Sequence, residues 1–257
     1  MKKKYFFFDY DGTITDPKTM EPVPSCLEAL RLLEKNGHFV ALATGRAHYK
    51  ARGVMEKIGL HNMVCAGGAG IVIDDVLRAN YPLDLETMKN LVKLMKSKNI
   101  GYLVSLDDSQ NVYSDNNLFI LQAGARQEDT KYIIDPSFDI DKVDQIYKAY
   151  ISIRPGYEYV IPDLGTTDYL RLQDEYVVIQ HNRKQEGIIK MMEMLNAPLE
   201  DVVAFGDDRN DVVMCDDRWF SVALGTGPDE LKQKASYVTD NSVDDGIYNA
   251  CKKFGWI

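Results

Sequence analysis

Short apolar runs alternate with amphipathic segments at both ends of this 257-residue chain. Apolar runs of roughly 4–8 residues are typical of buried strands, and apolar residues at three- and four-residue intervals indicate helices. At the N-terminal end the pattern predicts strands at 5–8, 39–43 and 63–66 and helices at 25–36 and 47–58. Toward the C-terminal end it predicts a helix at 185–195, strands at 202–205, 221–224 and 237–239, and a further helix between the first two of these strands. Strands that alternate with helices form a parallel sheet covered by helices, so we expect an α/β core.

The middle of the chain follows a different pattern. An amphipathic helix carries apolar residues at Leu85, Met88, Leu91, Val92 and Met95, and predicted strands follow around 102–104, 151–153, 169–172 and 177–179. Strands that are not regularly separated by helices are typical of an α+β architecture. We therefore predict an α+β domain at 83–181, inserted into an α/β core that is formed by 1–82 and 182–257.

Composition argues against several classes of function. The chain has 30 Lys and Arg against 39 Asp and Glu, a formal charge of −9, which argues against a nucleic-acid-binding surface. No apolar stretch approaches membrane-spanning length, and the apolar run after Lys2, Lys3 and Lys4 is too short for a secretion signal. The four cysteines have no Cys-x-x-Cys spacing, so neither a zinc knot nor a disulfide framework is predicted. We expect a cytoplasmic protein.

The most informative segment is Asp9-Tyr10-Asp11-Gly12-Thr13, which follows the first apolar run directly. It places two carboxylates at the C-terminal end of a buried strand, where open α/β sheets bind their ligands. Asp9 and Asp11 are two positions apart, so they share a face while the chain stays extended. Two carboxylates held this close must share a proton or be neutralised by a cation. The alternative is an ordinary turn, in which Asp and Gly are common.

Three further segments place reactive groups at a strand end or a helix start. Thr44 precedes Gly45 after the second strand, so a hydroxyl and neighbouring N–H groups could hold a phosphate; a helix cap is the alternative. Lys184 lies just before a predicted helix, where it could hold a phosphate or carboxylate or could be a surface lysine. The loop Gly206-Asp207-Asp208-Arg209-Asn210-Asp211 offers carboxylates that suit a hard cation such as Mg²⁺.

In this order the four segments resemble the motifs of the haloacid-dehalogenase-like phosphohydrolases. Asp9-Tyr10-Asp11-Gly12-Thr13 is similar to the first motif, Thr44 to the second, Lys184 to the third, and Gly206-Asp207 with Asn210-Asp211 to the fourth. Within that superfamily the chain most resembles the Cof-type phosphatases, through Leu42-Ala43-Thr44-Gly45-Arg46, Asn210-Asp211-x-x-Met214, Val222-Ala223-Leu224-Gly225, and Tyr237-Val238-Thr239 followed by Asp245-Gly246. The resemblance covers 4–75 and 184–251, and it implies a Rossmann-like parallel sheet. The middle matches, in position and size, the α+β cap that this family inserts between its second and third motifs.

The resemblance implies a Mg²⁺-dependent phosphatase that hydrolyses small, sugar phosphate-like phosphomonoesters through an aspartyl-phosphate. Asp9 would be the nucleophile, and Asp11 would be the general acid and base. The groups that hold the phosphate would be Thr44, Gly45, Lys184 and Asn210. The ligands of Mg²⁺ would be Asp9, the main-chain carbonyl of Asp11, Asp207 and Asp211, and Asp211 could act through a bound water or by positioning Lys184.

The chain departs from the family pattern at two places. Family members often have Asn-Gly-Ala after the third strand, where this chain has Gly67-Gly68-Ala69, and this predicts the loss of a side-chain contact near the substrate. The glycine that often follows the motif lysine is Gln185 here, and the connection before it is short. Arg183 therefore competes with Lys184 for the cationic role, and we favour Lys184.

Two other functions use similar residues. A phosphotransferase or sugar-phosphate mutase would pass the phosphoryl group to a second hydroxyl instead of water. A phospho-accepting signalling domain of the receiver type also combines acidic residues, Thr and Lys on a parallel sheet, but it accepts phosphate at a middle strand and has no cap. The motif residues contact only the phosphate, so substrate choice is expected to lie in 83–181, which contains nine of the 15 tyrosines. These tyrosines could line a pocket or pack the core of that domain.

Overall fold

A computed structural model describes residues 2–165 and 167–257, apart from the side chain of Leu172. The chain forms two compact units, the first made of Met1–Asn80 and Arg183–Ile257 and the second of Tyr81–Asn182. These divisions lie within two residues of the boundaries expected from the sequence, 82/83 and 181/182.

The described part of the chain contains 14 strands and seven α-helices. The strands are β1 (Tyr5–Phe8), β2 (Phe39–Ala43), β3 (Met63–Cys65), β4 (Gly70–Ile73), β5 (Val76–Asn80), β6 (Tyr102–Ser105), β7 (Asn111–Ser114), β8 (Lys131–Ile134), β9 (Lys148–Ile151), β10 (Asp168–Gln173), β11 (Tyr176–Gln180), β12 (Val202–Gly206), β13 (Phe220–Ala223) and β14 (Tyr237–Val238). The α-helices are α1 (Pro24–Lys35), α2 (His48–Lys57), α3 (Leu85–Ser97), α4 (Leu118–Ala123), α5 (Lys184–Met194), α6 (Asp229–Lys234) and α7 (Gly246–Lys253). Short 3₁₀ helices lie at Ala66–Gly68, Ile140–Lys142, Glu158–Val160, Leu199–Asp201, Arg209–Met214 and Ser242–Asp244.

The first unit is built on one eight-stranded sheet, in the order β14-β13-β12-β1-β2-β3-β4-β5. The strands from β14 to β3 run parallel, and they are the strands predicted for this unit from its apolar runs. Phe8 at the end of β1 lies opposite Phe205 of β12 and Leu42 of β2. The three central strands therefore end side by side. The predicted α/β class with a parallel sheet is confirmed.

Helices cover the two faces of this sheet because successive side chains of a strand point in opposite directions. Phe6 and Phe8 of β1 lie in one apolar cluster, together with Leu30 of α1. Phe7, between them, lies in a second cluster with Ile188 of α5. All three phenylalanines are fully buried, so β1 forms the centre of the core of this unit.

The hairpin formed by β4 and β5 was not predicted. Its two-residue turn is Asp74-Asp75, with Ile73 paired to Val76 across it. Both aspartates have positive φ angles, 51° and 63°, which is the turn geometry that matches the twist of the flanking strands. The usual sequence signal for this turn is Asn-Gly or Asp-Gly, and this chain uses two aspartates instead.

The second unit contains a six-stranded sheet in the order β10-β11-β9-β6-β7-β8. Met88 and Leu91 of α3 pack in one apolar cluster with Tyr102 of β6 and Ile151 of β9. The side chain of Asp84 accepts a hydrogen bond from the N–H of Thr87 at 2.8 Å and so caps the start of α3.

The strand predicted at 151–153 is wrong in position, because β9 spans Lys148–Ile151. The N–H of Ile153 donates to the carbonyl of Ile151 at 2.8 Å, and this tight local turn ends the strand. Strands β7 and β8 and helix α4 were not predicted. Within the two described ranges, no helix is both long and apolar enough to cross a membrane.

Candidate active site

The residues predicted to carry chemistry in the first unit follow the ends of its central strands. Asp9 comes directly after β1, and its N–H donates to the carbonyl of Phe205 at 3.0 Å. Thr44 comes directly after β2, and its N–H donates to the carbonyl of Val64 at 2.9 Å. Asp207 comes directly after β12. The parallel register therefore gathers these residues at one edge of the sheet, the edge at which α/β sheets bind ligands.

Lys184 lies between two buried carboxylates. Its Nζ atom is 2.6 Å from Oδ1 of Asp9 and 2.6 Å from Oδ1 of Asp211. Burial opposes the charge of the Lys184 ammonium, but Asp211 and Asp9 outweigh it and raise the pKa of that group. Burial also raises the pKa of Asp9 well above its ordinary value. Lys184 lowers this pKa, and Asp211 raises it further. One ammonium therefore serves two carboxylates, and the surface-lysine alternative is wrong.

A third carboxylate completes this cluster. One oxygen from each of Asp9, Asp207 and Asp211 lies within 4.8 Å of the others. Asp207 Oδ1 accepts a hydrogen bond from the hydroxyl of Thr13 at 2.6 Å, while burial raises the pKa of Asp207 to about 6. Three carboxylates thus face a single ammonium, and the cluster has an excess of negative charge.

The donor set of this cluster fits a divalent cation. All of its donors are carboxylate oxygens, which hard ions such as Mg²⁺ prefer. Gly12 leaves room beside them, because a Cβ at that position would lie only 2.2 Å from Oδ2 of Asp207. Gly12 also has a φ of +85°, which favours glycine. The cluster of Asp9, Asp207 and Asp211 is therefore the candidate metal site.

Asp11 lies outside this cluster and has its own cation. The guanidinium of Arg46 donates from Nε to Asp11 Oδ2 at 3.0 Å and from Nη2 to Asp11 Oδ1 at 2.5 Å. Strand β1 ends at Phe8, so Asp9 and Asp11 lie beyond the extended segment in which they would share a face, and their carboxylates meet different cations. Sequence reasoning named Arg46 as part of the segment from Leu42 to Arg46 and did not pair it with Asp11.

The backbone before α5 directs Lys184 into the cluster. The N–H of Arg183 donates to the carbonyl of Gly67 at 2.7 Å, and its Nη1 atom donates to Glu186 Oε1 at 3.0 Å. Lys184 is the first residue of α5, and its side chain is 1% exposed, against 30% for that of Arg183. The geometry thus brings Lys184, and not Arg183, against Asp9.

The loop that departs from the family pattern packs against this helix start. Gly68 has a φ of +107°, and a Cβ at that position would lie 2.2 Å from the carbonyl oxygen of Arg183 and 3.2 Å from the nitrogen of Lys184. Gly67 has φ 64° and ψ 26°, a left-handed conformation that Asn also tolerates. The backbone at Gly68 therefore sets the position of Lys184.

Thr44 is buried, and its Oγ1 atom accepts a hydrogen bond from the N–H of Arg46 at 3.2 Å. Because the hydroxyl accepts in that bond, its proton can still be donated to a ligand. Helix α2 begins at His48, its cap residue is Ala47, and no side chain caps it. The helix-cap alternative for Thr44 is therefore wrong. The phosphate-binding roles predicted for Thr44 and Gly45 remain predictions.

The acidic loop after β12 forms a 3₁₀ helix at Arg209–Met214, where a helix was predicted. Asp211 Oδ2 accepts from the N–H groups of Asp207 and Asp208 at 3.0 and 3.1 Å. These bonds fix the carboxylate that also meets Lys184. Oδ1 of Asn210 is buried and has no hydrogen-bond partner among the described residues, and its phosphate-binding role remains a prediction.

Comparison with known proteins gives a consistent family. Residues 6–251 match the family model of the haloacid dehalogenase-like hydrolases. The chain is 26% identical to YkrA of Bacillus subtilis (strain 168) over 99% of both chains, and 27% identical to a phosphoglycolate phosphatase of Methanosarcina acetivorans over 100% of both. A solved structure from Geobacillus kaustophilus HTA426 matches with a TM-score of 0.82 and 26% identity, covering 100% of both chains. The chain therefore belongs to the haloacid dehalogenase-like hydrolases, among their Cof-type phosphatases, and is an enzyme that hydrolyses phosphoric monoesters.

Proposed function

We propose that the protein is a Mg²⁺-dependent phosphatase of small, sugar phosphate-like phosphomonoesters, and that it works through an aspartyl-phosphate on Asp9. The observation that carries this proposal is the buried pair of Asp9 with Lys184, at 2.6 Å, beside Asp207 and Asp211. A surface turn would leave these carboxylates solvated. An anionic nucleophile that attacks a phosphate needs neighbouring positive charge. In this cluster the Lys184 ammonium supplies one such charge, and the carboxylates could bind a divalent cation.

In the first step, a carboxylate oxygen of Asp9 attacks phosphorus and forms the aspartyl-phosphate. The bond from phosphorus to the ester oxygen breaks, and its electron pair stays on that oxygen. Protonated Asp11 gives its proton to the same oxygen, so the leaving group departs as an alcohol. Asp11 suits this role because it lies two residues from Asp9 and outside the metal cluster.

In the second step, water attacks the phosphorus of the aspartyl-phosphate and gives a proton to the Asp11 carboxylate. The bond from phosphorus to Asp9 breaks with its electron pair on the Asp9 oxygen. Inorganic phosphate leaves, Asp9 is again a carboxylate, and Asp11 is again protonated. Splitting hydrolysis into two displacements uses Asp11 first as an acid and then as a base.

Positive charge around the phosphoryl group would come from two sources. Lys184 would move one of its hydrogen bonds from the carboxylates to a phosphoryl oxygen, and the Thr44 hydroxyl and the Gly45 backbone would hold other oxygens. Asn210 would complete this set. The carboxylates of Asp9, Asp207 and Asp211 and the main-chain carbonyl of Asp11 would hold Mg²⁺, whose charge would screen the anionic ester from the anionic nucleophile.

Substrate choice is proposed to lie in the second unit, Tyr81–Asn182. Its tyrosines differ in exposure. Tyr102, Tyr150 and Tyr176 are buried and pack the apolar core of the unit, as the core-packing alternative predicts. Tyr157 and Tyr159 are exposed, with ring centroids 6.2 Å apart. These two rings expose both apolar faces and hydroxyls, the combination that suits recognition of sugars and small aromatic groups.

The catalytic proposal is tested by measuring phosphate release from a panel of phosphorylated metabolites that includes sugar phosphates and phosphoglycolate. Asp9→Asn should abolish turnover, because an amide is neither a nucleophile nor an anionic ligand, whereas Asp217→Asn at an exposed aspartate should not. Mass spectrometry of acid-quenched wild-type enzyme should find one phosphoryl group on the peptide that contains Asp9. Turnover by Asp9→Asn close to that of wild type would contradict the mechanism.

The substrate proposal is tested by exchange of the second unit. Replacing 81–182 with the corresponding segment of a relative of different preference should move the substrate ranking toward that of the donor. Phosphatase activity on a small artificial ester should persist in the chimera. A folded, active chimera that keeps the original ranking would place selectivity in loops of the first unit instead.

A further inference from the structure

We propose that Arg46 is the positioning residue of Asp11, and that its planar fork aims the Asp11 carboxyl group at the leaving oxygen of the substrate. This inference rests on the proposed function, in which Asp11 is the proton donor. It adds that Arg46 controls the protonation of the leaving group and not the binding of the phosphate.

The geometry of the pair is bidentate. Nε and Nη2 of Arg46 each donate to a different oxygen of Asp11, at 3.0 and 2.5 Å. Two parallel hydrogen bonds between a guanidinium and a carboxylate fix the plane of that group more tightly than a single bond does. The torsion that turns an Asp carboxyl group about its last bond is otherwise broad. The Asp11 side chain is 39% exposed, so packing alone does not hold this torsion.

Arg46 is itself held from two sides. Its guanidinium lies over the ring of Tyr10, 5.1 Å from the ring centroid, and Tyr10 is buried. Its backbone N–H donates to Oγ1 of Thr44 at 3.2 Å. A cation over an aromatic ring is attracted to the face of that ring. The guanidinium therefore has a defined position from which it can orient Asp11.

The bidentate contact holds the carboxylate form of Asp11, in which both oxygens accept from Arg46. When Asp11 carries the proton that it gives to the leaving group, only its carbonyl oxygen accepts, and the guanidinium then holds Asp11 at this oxygen while the hydroxyl faces the ester oxygen. Lysine would not replace arginine here, because an ammonium is a point charge without the planar fork.

The test compares two esters that differ in their need for a proton. An alkyl phosphate leaves as a strongly basic alkoxide unless it is protonated, whereas 4-nitrophenyl phosphate leaves as a stabilised anion. In Arg46→Ala, kcat/KM for the alkyl phosphate should fall by about 10²-fold, the effect of misplacing an acid catalyst. For 4-nitrophenyl phosphate it should fall by less than about threefold. Because kcat/KM covers the steps up to departure of the leaving group, the second displacement does not enter the comparison.

Three variants frame the result. Arg46→Lys should recover only part of the activity on the alkyl ester, and Arg52→Ala, which removes an exposed pair with Glu56, should change neither ester. In the double variant Asp11→Asn with Arg46→Ala, the loss should match that of Asp11→Asn alone, since Arg46 acts through Asp11.

The outcomes separate the two proposals. Equal losses for both esters in Arg46→Ala would make Arg46 a phosphate ligand and overturn the inference, as would full recovery by Arg46→Lys. If Asp11→Asn discriminates between the esters and Arg46→Ala does not, the inference fails and the proposed acid role of Asp11 stands. If Asp11→Asn itself does not discriminate, the acid role fails. Thermal unfolding of each variant checks that the fold is intact.

Discussion

Replacing Gly68 with alanine should damage both stability and catalysis, although Gly68 carries no functional group. A Cβ at this position would lie 2.2 Å from the carbonyl oxygen of Arg183 and 2.7 Å from its carbonyl carbon. Both contacts are with backbone, so no side chain can rotate away. The φ of +107° would in addition be strained in any residue with a Cβ.

The magnitude follows from three contributions. A non-glycine residue in an unfavourable backbone region costs about 1–3 kcal/mol, and overpacking against a fixed neighbour costs about 1–3 kcal/mol more. Alanine also restricts the unfolded chain more than glycine does, and this offsets the loss of stability by about 0.4–1 kcal/mol. The net loss of unfolding free energy for Gly68→Ala should therefore be roughly 1–6 kcal/mol.

Gly37 provides a matched control. It also has a positive φ, +84°, but a Cβ there would meet no atom within 4 Å. Gly37→Ala should therefore show only the backbone contribution less that of the unfolded chain, roughly 0–3 kcal/mol. Urea unfolding followed by circular dichroism measures both variants. Assays below the unfolding transition should show that only Gly68→Ala lowers kcat/KM, since only it shifts the start of α5 and Lys184. If both variants lost equal stability and kept equal activity, the argument from close approach would be refuted.

Three further predictions concern buried charge and buried thiols. Lys184→Ala should lower kcat/KM by at least about 10²-fold and the unfolding free energy by about 3–5 kcal/mol, because two buried carboxylates lose their cation. Arg183→Ala should lower the unfolding free energy by less than about 1 kcal/mol. Steady-state kinetics and urea unfolding measure these effects. Mg²⁺ at 100 times its Kd should stabilise the wild type by about 2.7 kcal/mol and so raise its melting temperature. A thermal-shift assay should find no such rise for Asp207→Ala. Burial raises the pKa of Cys26 to about 12 and also raises that of Cys251, so at pH 8 both thiols stay protonated. Iodoacetamide should label them only after urea unfolds the chain, and rapid labelling of the native protein would contradict their burial.

Sequence reasoning succeeded where the signal was local. Asp9, Thr44 and Asp207 follow short apolar runs, and a parallel sheet brings such strand ends together whatever lies between them. The α/β class follows from the same alternation of strands and helices. Neither conclusion required knowledge of a side-chain contact.

Sequence reasoning failed where a contact between distant segments decided the outcome. Arg46 and Asp11 are 35 positions apart, and no pattern in either segment indicates that they pair. The burial of Lys184 depends on the backbone of Gly67 and Gly68, which holds the start of α5. The position of β9 was missed because the apolar run from 149 to 153 does not show where pairing ends.

The position of β1 in its sheet affects the order in which the protein can fold during synthesis. One neighbour of β1 is β2, but the other is β12, about 200 positions later in the chain, and Asp9 meets Lys184 across 175 positions. A chain made from its N-terminus therefore carries Asp9, the proposed nucleophile, early, at the end of a strand with one open edge. The segment 81–182 is continuous, has its own apolar clusters and is made before the strand that pairs with this edge. Catalytic competence thus arrives late in synthesis, when the residues after 183 close the sheet and supply the ammonium.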